Sequence, residues 1–255
     1  MSTSARGLRT ATFGQLSQTL RVLEDLGLTP EHLKCVRHDR PFAQRLVAFW
    51  KAGAGTGDYI PDSAAQAEAR GIMGRNFLGL EEVRTALGIT LPAEQLAAIP
   101  FSEETLRQCM DTHVLVAGAA LSLNEIRTGA ARRLPVWNWP PSEPYLNHIR
   151  MSVRWYLLRK EPVPESRGKT YKKQCSLLTA KEEVPLACEM AYMVLLYWLT
   201  YRRRLLPGVH VRCSDTRWDD NRVHIGGFGP AGLTVSYNWD GNYFDSLGLA
   251  SARKS

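Results

Sequence analysis

Apolar residues recur at helical spacing through most of the first 110 positions. Leu16, Leu20, Leu23 and Leu26 fall on one side of a helix that Thr12 can cap and Gly27 can end. Thr29, Pro30 and Glu31 supply an N-cap, a proline at the first helical position and an early acid for a second helix through Val36. A third starts near Pro41, carries Phe42, Leu46, Val47, Phe49 and Trp50, and stops at Gly53. Such a trio is also how a helix-turn-helix reads, but most trihelical caps bind no DNA, and the cap is the reading kept. The glycine-rich run 53–58 predicts a linker. Residues 1–53 therefore form a three-helix N-terminal region and 59–255 an α+β domain, with one continuous unit as the alternative. Helical patterns continue over 64–70, 80–87, 92–99 and 103–110, the last opened by Ser102 with Glu103 and Glu104 behind it.

The pattern then changes. Short runs rich in β-branched and aromatic residues at 113–117, 153–158, 209–213, 222–225 and 233–239 predict strands. Asp219, Asp220 and Asn221 predict one hairpin turn, and Asp240-Gly241 another. Between them, residues 184–206 hold a run apolar on every side. It is interrupted by Glu189 and followed by Arg202, Arg203 and Arg204, which suits a buried central helix better than a membrane span. Thr179 and Glu182 have the spacing of a capping box for that helix, with Pro185 in its first turn. Helices first and a hairpin-rich sheet last predict an α+β fold, a helical N-terminal region followed by a mixed or antiparallel sheet packed on a long buried helix.

Charge alters this picture. The 255 residues carry a formal net charge of +7 at a pI near 9.3, which favours a polyanionic partner, nucleic acid before an anionic membrane surface. Residues 131–173 hold ten basic and three acidic side chains, a surplus that alone equals the charge of the chain. The cations are Arg132, Arg133, Arg150, Arg154, Arg159, Lys160, Arg167, Lys169, Lys172 and Lys173. Trp137, Trp139, Tyr145, Trp155, Tyr156 and Tyr171 are interleaved with them, and six prolines imply extended backbone. Cations displace counterions from a phosphate backbone and rings stack on bases, so the segment is the candidate nucleic-acid surface. The competing reading is a solvated basic face over buried tryptophans.

Catalytic patterns are weaker. Gly168-Lys169-Thr170 imitates the end of a phosphate loop, but Val163 stands where that motif needs its first glycine. The glycines at 53, 55 and 57 and at 226, 227 and 229 lack the strand-to-helix context of a dinucleotide site. His32, Cys35 and His38, even with Cys109 and His113, lack the paired spacing of structural zinc, and no cofactor or metal is expected. Asp215, Asp219 and Asp220 could hold a metal for phosphodiester chemistry, though turns recruit aspartates for backbone reasons. A Cys213 nucleophile served by His210 or His224 depends on the strand register. The five cysteines are scattered, and no leader-like apolar stretch opens the chain, so a reducing, cytoplasmic setting is expected.

Several stretches, residues 72–82 (IMGRNFLGLEE), 112–116 (THVLV), 155–160 (WYLLRK), 183–185 (EVP) and 248–254 (GLASARK), resemble a bacterial protein family common in uncultivated candidate lineages, to which no activity is assigned. The resemblance implies an intracellular bacterial setting and one intact product, and it transfers no catalytic residue. Three classes of function stay open. The first is a nucleic-acid-binding or accessory protein using the 131–173 surface, with the N-terminal helices packed on the sheet or adding a second contact. The second is a metal-dependent enzyme on nucleic acid or a phosphorylated substrate. The third is an adaptor that docks the segment 136–141 into a protein partner.

Overall fold

A computed structural model describes residues 60–255 apart from 61, 132–144 and 218, and residues 17, 20, 21, 23–25, 29–39 and 43 of the first 59. The chain divides into two units, Met1–Asp58 and Tyr59–Ser255. In the first, helix α1 (Pro30–His38) begins where the Thr-Pro-Glu signal predicts, with the Leu33 amide donating to the Thr29 carbonyl. The helices expected on either side of it, and the 53–58 linker, lie largely or wholly outside the described residues.

The second unit opens with α2 (Ala64–Met73). Ser63 Oγ accepts from the Gln66 amide while Gln66 Oε1 accepts from the Ser63 amide, a reciprocal cap. A 3₁₀ turn, Gly74–Asn76, delivers β1 (Phe77–Leu78), and α3 (Leu80–Leu87) follows with Glu82 accepting from the Gly79 amide. Residues 92–99 form turns instead of the helix their pattern suggests. The Leu96 carbonyl is taken by Gln66 Nε2 and Trp155 Nε1, both at 2.8 Å, so tertiary partners hold the backbone that a helix would have used. Ser102 caps α4 (Glu103–Cys109) as predicted.

Next come β2 (His113–Ala117), α5 (Leu123–Ala131), α6 (Tyr145–His148), β3 (Trp155–Arg159) and α7 (Tyr171–Cys175). They are followed by β4 (Glu182–Glu183), α8 (Ala187–Tyr201), β5 (His210–Thr216), β6 (Arg222–Gly229), β7 (Gly232–Asn238), β8 (Leu247–Leu249) and β9 (Ala252–Arg253). The strands make two sheets, a five-stranded one in the order β1-β2-β3-β9-β4 and a four-stranded one in the order β7-β6-β5-β8. Both are mixed, since β1 runs parallel to β2 and β8 parallel to β5. The fold is α+β, with two sheets where one was expected.

Helix α8 packs against both sheets. Twelve of its fifteen residues are buried, which explains why its sequence is apolar all round. Tyr192 Oη donates to the Ala117 carbonyl of the five-stranded sheet, while Trp198 meets Phe228 of the four-stranded one at 6.1 Å between ring centroids. Its start differs from the expected one. Glu182 Oε2 accepts from the Thr179 amide and Oγ1, which is only one half of a capping box, and these bonds hold the turn into β4; the helix begins at Ala187, with Glu189 accepting from the Leu186 amide. No helix among the described residues is long and apolar enough to cross a membrane.

Alternation gives the four-stranded sheet two faces of different character. Val211, Cys213, Val223, Ile225 and Val235 turn toward α8 and are buried. His210, Arg212, Arg222, His224 and Asn238 share the opposite face, as the pairings Arg212↔His224 and Arg222↔Asn238 require. That polar face carries α7 and the loop after β7.

Candidate nucleic-acid interface

Arg212 organises the polar face. Its side chain is fully buried, yet no carboxylate among the described residues hydrogen-bonds it. Nη1 donates to the Lys169 carbonyl (3.2 Å) and to Gln174 Oε1 (3.0 Å), and Nη2 to the carbonyls of Trp239 (3.2 Å) and Asn242 (2.6 Å). Burial lowers the pKa of the guanidinium, with Asp240 opposing and Arg222 adding to the effect. One planar fork thus ties the loop leading into α7 to the loop leaving β7.

A second arginine reinforces the junction. Arg222 makes a bidentate pair with Asp240 at 2.8 and 2.9 Å, donates to the Ser214 carbonyl at 2.7 Å, and lies 3.7 Å over the Tyr171 ring. Two backbone bonds stitch the loops directly, from the Tyr171 amide to the Asp240 carbonyl and from the Gly168 amide to the Phe244 carbonyl. Gly168 has φ of 66°, a value that favours glycine. Gln174 is buried and anchors α7 by donating to the carbonyls of Ser166 and Leu247.

The two stitched loops present opposite chemistries side by side. The first bears Arg167, Lys169, Lys172 and Lys173; all but the half-buried Lys169 are exposed, and none is in an ion pair among the described residues. The second bears Trp239, Tyr243 and Phe244, which are 63%, 65% and 51% exposed. Rings of this size are usually buried, so three in one turn form the notable apolar feature of the described surface. The acids close by are Glu165, Asp245 and the already paired Asp240.

The cations expected to act together therefore separate. Arg167, Lys169, Lys172 and Lys173 share this surface. Arg150 is engaged elsewhere by Glu125 (2.8 Å) and the Ala120 carbonyl. Arg154 covers Tyr156 and faces Glu183 and Glu189 at 3.8 and 3.6 Å. Lys160 donates to Asn76, and Arg159 projects from the five-stranded sheet. Arg132, Arg133, Trp137 and Trp139, with the rest of 136–141, lie outside the described residues. Trp155 and Tyr156 are only 3% exposed, because a strand at the centre of a sheet buries both its faces; they are core rings and offer no stacking platform. The exposed rings are ones the strand-and-turn reading passed over, although three aromatics within six residues of a turn are a visible signal.

The aspartates do not form a common site. Asp215 is buried on the α8 side, where Oδ2 accepts from the Ala187 amide at the helix start and burial raises the pKa of the carboxyl. Asp219 holds the hairpin turn, accepting from the Asn221 amide and facing Arg217. Among the described residues no group of three His, Cys, Asp or Glu side chains could hold a metal ion. Cys213 faces α8 while His210 and His224 occupy the other face, so no thiol–imidazole pair forms, and burial pushes this thiol well up. The histidines meet edge to face at 5.2 Å. His224 is 6% exposed, contacts Asn238 Nδ2 through Nε2 at 3.0 Å, and has its pKa lowered to about 3 by burial, then by His210 and Arg212.

No protein family, curated protein or solved structure matches the chain. The interface thus rests on its own geometry.

Proposed function

We propose that the protein binds single-stranded nucleic acid across the two loops that Arg212 joins. The observation that supports this is the juxtaposition of Trp239, Tyr243 and Phe244 with Arg167, Lys169, Lys172 and Lys173 on hydrogen-bonded backbone. An unpaired strand offers π-faces to the rings and phosphates to the cations at once, whereas a duplex hides its faces. An anionic membrane would also attract the lysines, but Asp245 beside Phe244 opposes insertion of the ring among acidic headgroups. The buried guanidinium pre-organises both loops, so little ordering entropy is lost on binding.

Affinity for a fluorescent single-stranded oligonucleotide, measured by anisotropy across salt concentrations, tests the reading. With four phosphates neutralised, log K is expected to fall with log salt at a slope of about −3. Each Lys→Gln change at 169, 172 or 173 lowers the slope by about 0.7. Trp239→Ala weakens binding about tenfold while leaving the slope intact, since stacking contributes about 1–3 kcal/mol per base. Vesicles rich in anionic lipid serve as the comparison. Equal loss of affinity on changing any surface lysine of the chain, or preference for vesicles over the oligonucleotide, contradicts the proposal.

A further inference from the structure

The face of the five-stranded sheet away from α8 holds a second concentration of charge at the end where β2 begins and β3 ends. His113 and Arg159 are direct cross-strand partners, and Arg253 opposes Leu157 on the next strand. Alternation therefore places His113, Arg159 and Arg253 on one face, with Glu182 opposite Arg253. Cys109, at the end of α4, lies over the same group and feels Arg253, Arg159 and Glu182.

The cluster is not internally balanced. Arg159 and Arg253 are half-buried, and neither makes a side-chain hydrogen bond or ion pair among the described residues. Arg159 Nε and His113 Nε2 are buried with no partner, and His113 as a whole is 3% exposed. The carboxylate at hand, Glu182, offsets Arg253 only in part, and its hydrogen bonds go elsewhere: Oε2 accepts from Thr179 N (3.1 Å) and Oγ1 (2.8 Å), and Oε1 accepts from Ser251 Oγ (3.1 Å). Two guanidinium groups on neighbouring strands repel each other, and orphaned nitrogens are costly to bury. An anion between the strands removes both penalties.

We propose that Arg159, Arg253 and His113 form a binding site for a phosphate group, inorganic or at the end of a monoester. Two planar forks on one face of adjacent strands match a tetrahedral oxyanion with several terminal oxygens; a carboxylate is satisfied by one fork. The imidazole adds a proton-linked contact. In the unliganded protein burial, then Arg159, holds His113 down at about 4, with Arg253 and Lys160 adding and Glu182 opposing. A bound dianion offsets Arg159 and Arg253, so binding draws a proton onto His113 and strengthens as pH falls. The site is independent of the single-strand interface, which occupies the other sheet.

The test titrates the full chain with inorganic phosphate, using calorimetry for affinity and the His113 ring nitrogen shifts for protonation. Sulfate, whose charge is constant from pH 5 to 8, provides the pH profile, and acetate the carboxylate comparison. Saturable 1:1 binding is expected, weakened at least tenfold by Arg159→Gln and by Arg253→Gln and unchanged by Lys172→Gln or Lys173→Gln. Sulfate affinity is expected to rise from pH 8 to pH 5 as the His113 ring becomes doubly protonated. The ring shifts of the unaltered protein keep the test decisive if a variant misfolds. Absence of saturable phosphate binding, acetate binding as tightly as phosphate, or ring shifts untouched by saturating phosphate overturns the site.

Discussion

Replacing Arg212 by alanine is expected to cost roughly 3–5 kcal/mol of folding stability, since each hydrogen bond from a charged group contributes about 1.5–3 kcal/mol and removing the buried charge offsets part of the sum. Four acceptors lose their donor together: the carbonyls of Lys169, Trp239 and Asn242, and Gln174 Oε1. Gln174 is fully buried, and water reaches it only if the loops part, so the stability loss and the loosening of both loops share one cause. Denaturant unfolding gives the first, and proteolytic cutting within 166–174 and 239–246 reports the second. Lysine at 212 is expected to restore little, because an ammonium lacks the planar fork that reaches two pairs of acceptors. A loss below about 1 kcal/mol, the worth of a single ordinary hydrogen bond, would show that the loops do not depend on this side chain.

The second large effect is an acid sensitivity. His224 and His113 are buried neutral, with pKa values lowered to about 3 and about 4. Both folded values lie below the ordinary histidine value of about 6.5. Under acid the unfolded chain takes up protons that the native protein refuses, so this stability is present above pH 6.5 and is lost as pH falls toward 4. Each ring contributes a slope of up to about 1.4 kcal/mol per pH unit in that window. Asp215 and Glu189, whose carboxyl pKa values burial raises, work in the opposite direction and offset part of the loss. Unfolding free energy is therefore expected to drop by roughly 2–4 kcal/mol between pH 6.5 and 4.5. His224→Gln should flatten the curve. A profile level across that window, or one that the substitution leaves untouched, contradicts the assignment of neutral buried rings. Saturating phosphate should also reduce the slope, because it lets His113 charge in the folded state.

Elements with strong local signals were legible in the sequence. Helix α3 occupies 80–87 as its pattern predicts, α4 starts at its Ser102 cap, and β6 and β7 cover the strands expected at 222–225 and 233–239, with β6 running on to Gly229. The apolar run of α8, interrupted by Glu189 alone among charged residues, announces a helix covered on all sides. The two-residue strands β1, β4 and β9 were not legible, because two residues carry no periodicity and only their partners define them. Asp240-Gly241 is a turn, but β8 pairs with β5 and not with β7, so no hairpin closes there; the freed loop is what brings Trp239 and Phe244 to the surface. Of the basic stretch, the structure gathers Arg167, Lys169, Lys172 and Lys173 on one surface and engages Arg150, Arg154 and Lys160 elsewhere. Lys169, Lys172 and Lys173 stand out by charge alone, whereas Trp155 and Arg150 look the same in sequence whether they face solvent or a partner. Arg212 carried no signal, since a single cation within a strand ordinarily points to water. Its burial is set by loops that arrive from residues 169 and 239.

The proposed single-strand interface is tested most directly by locating a bound oligonucleotide on the protein. A single strand carrying photoreactive bases is bound to the full chain at low salt, irradiated, and the cross-linked peptides are sequenced. Adducts on Trp239, Tyr243 or Phe244, with lysines 169, 172 and 173 protected from chemical modification by the strand, are the expected result. Adducts confined to other surfaces, or lysines modified equally with and without the strand, would contradict the central claim that the Arg212-tied loops receive it.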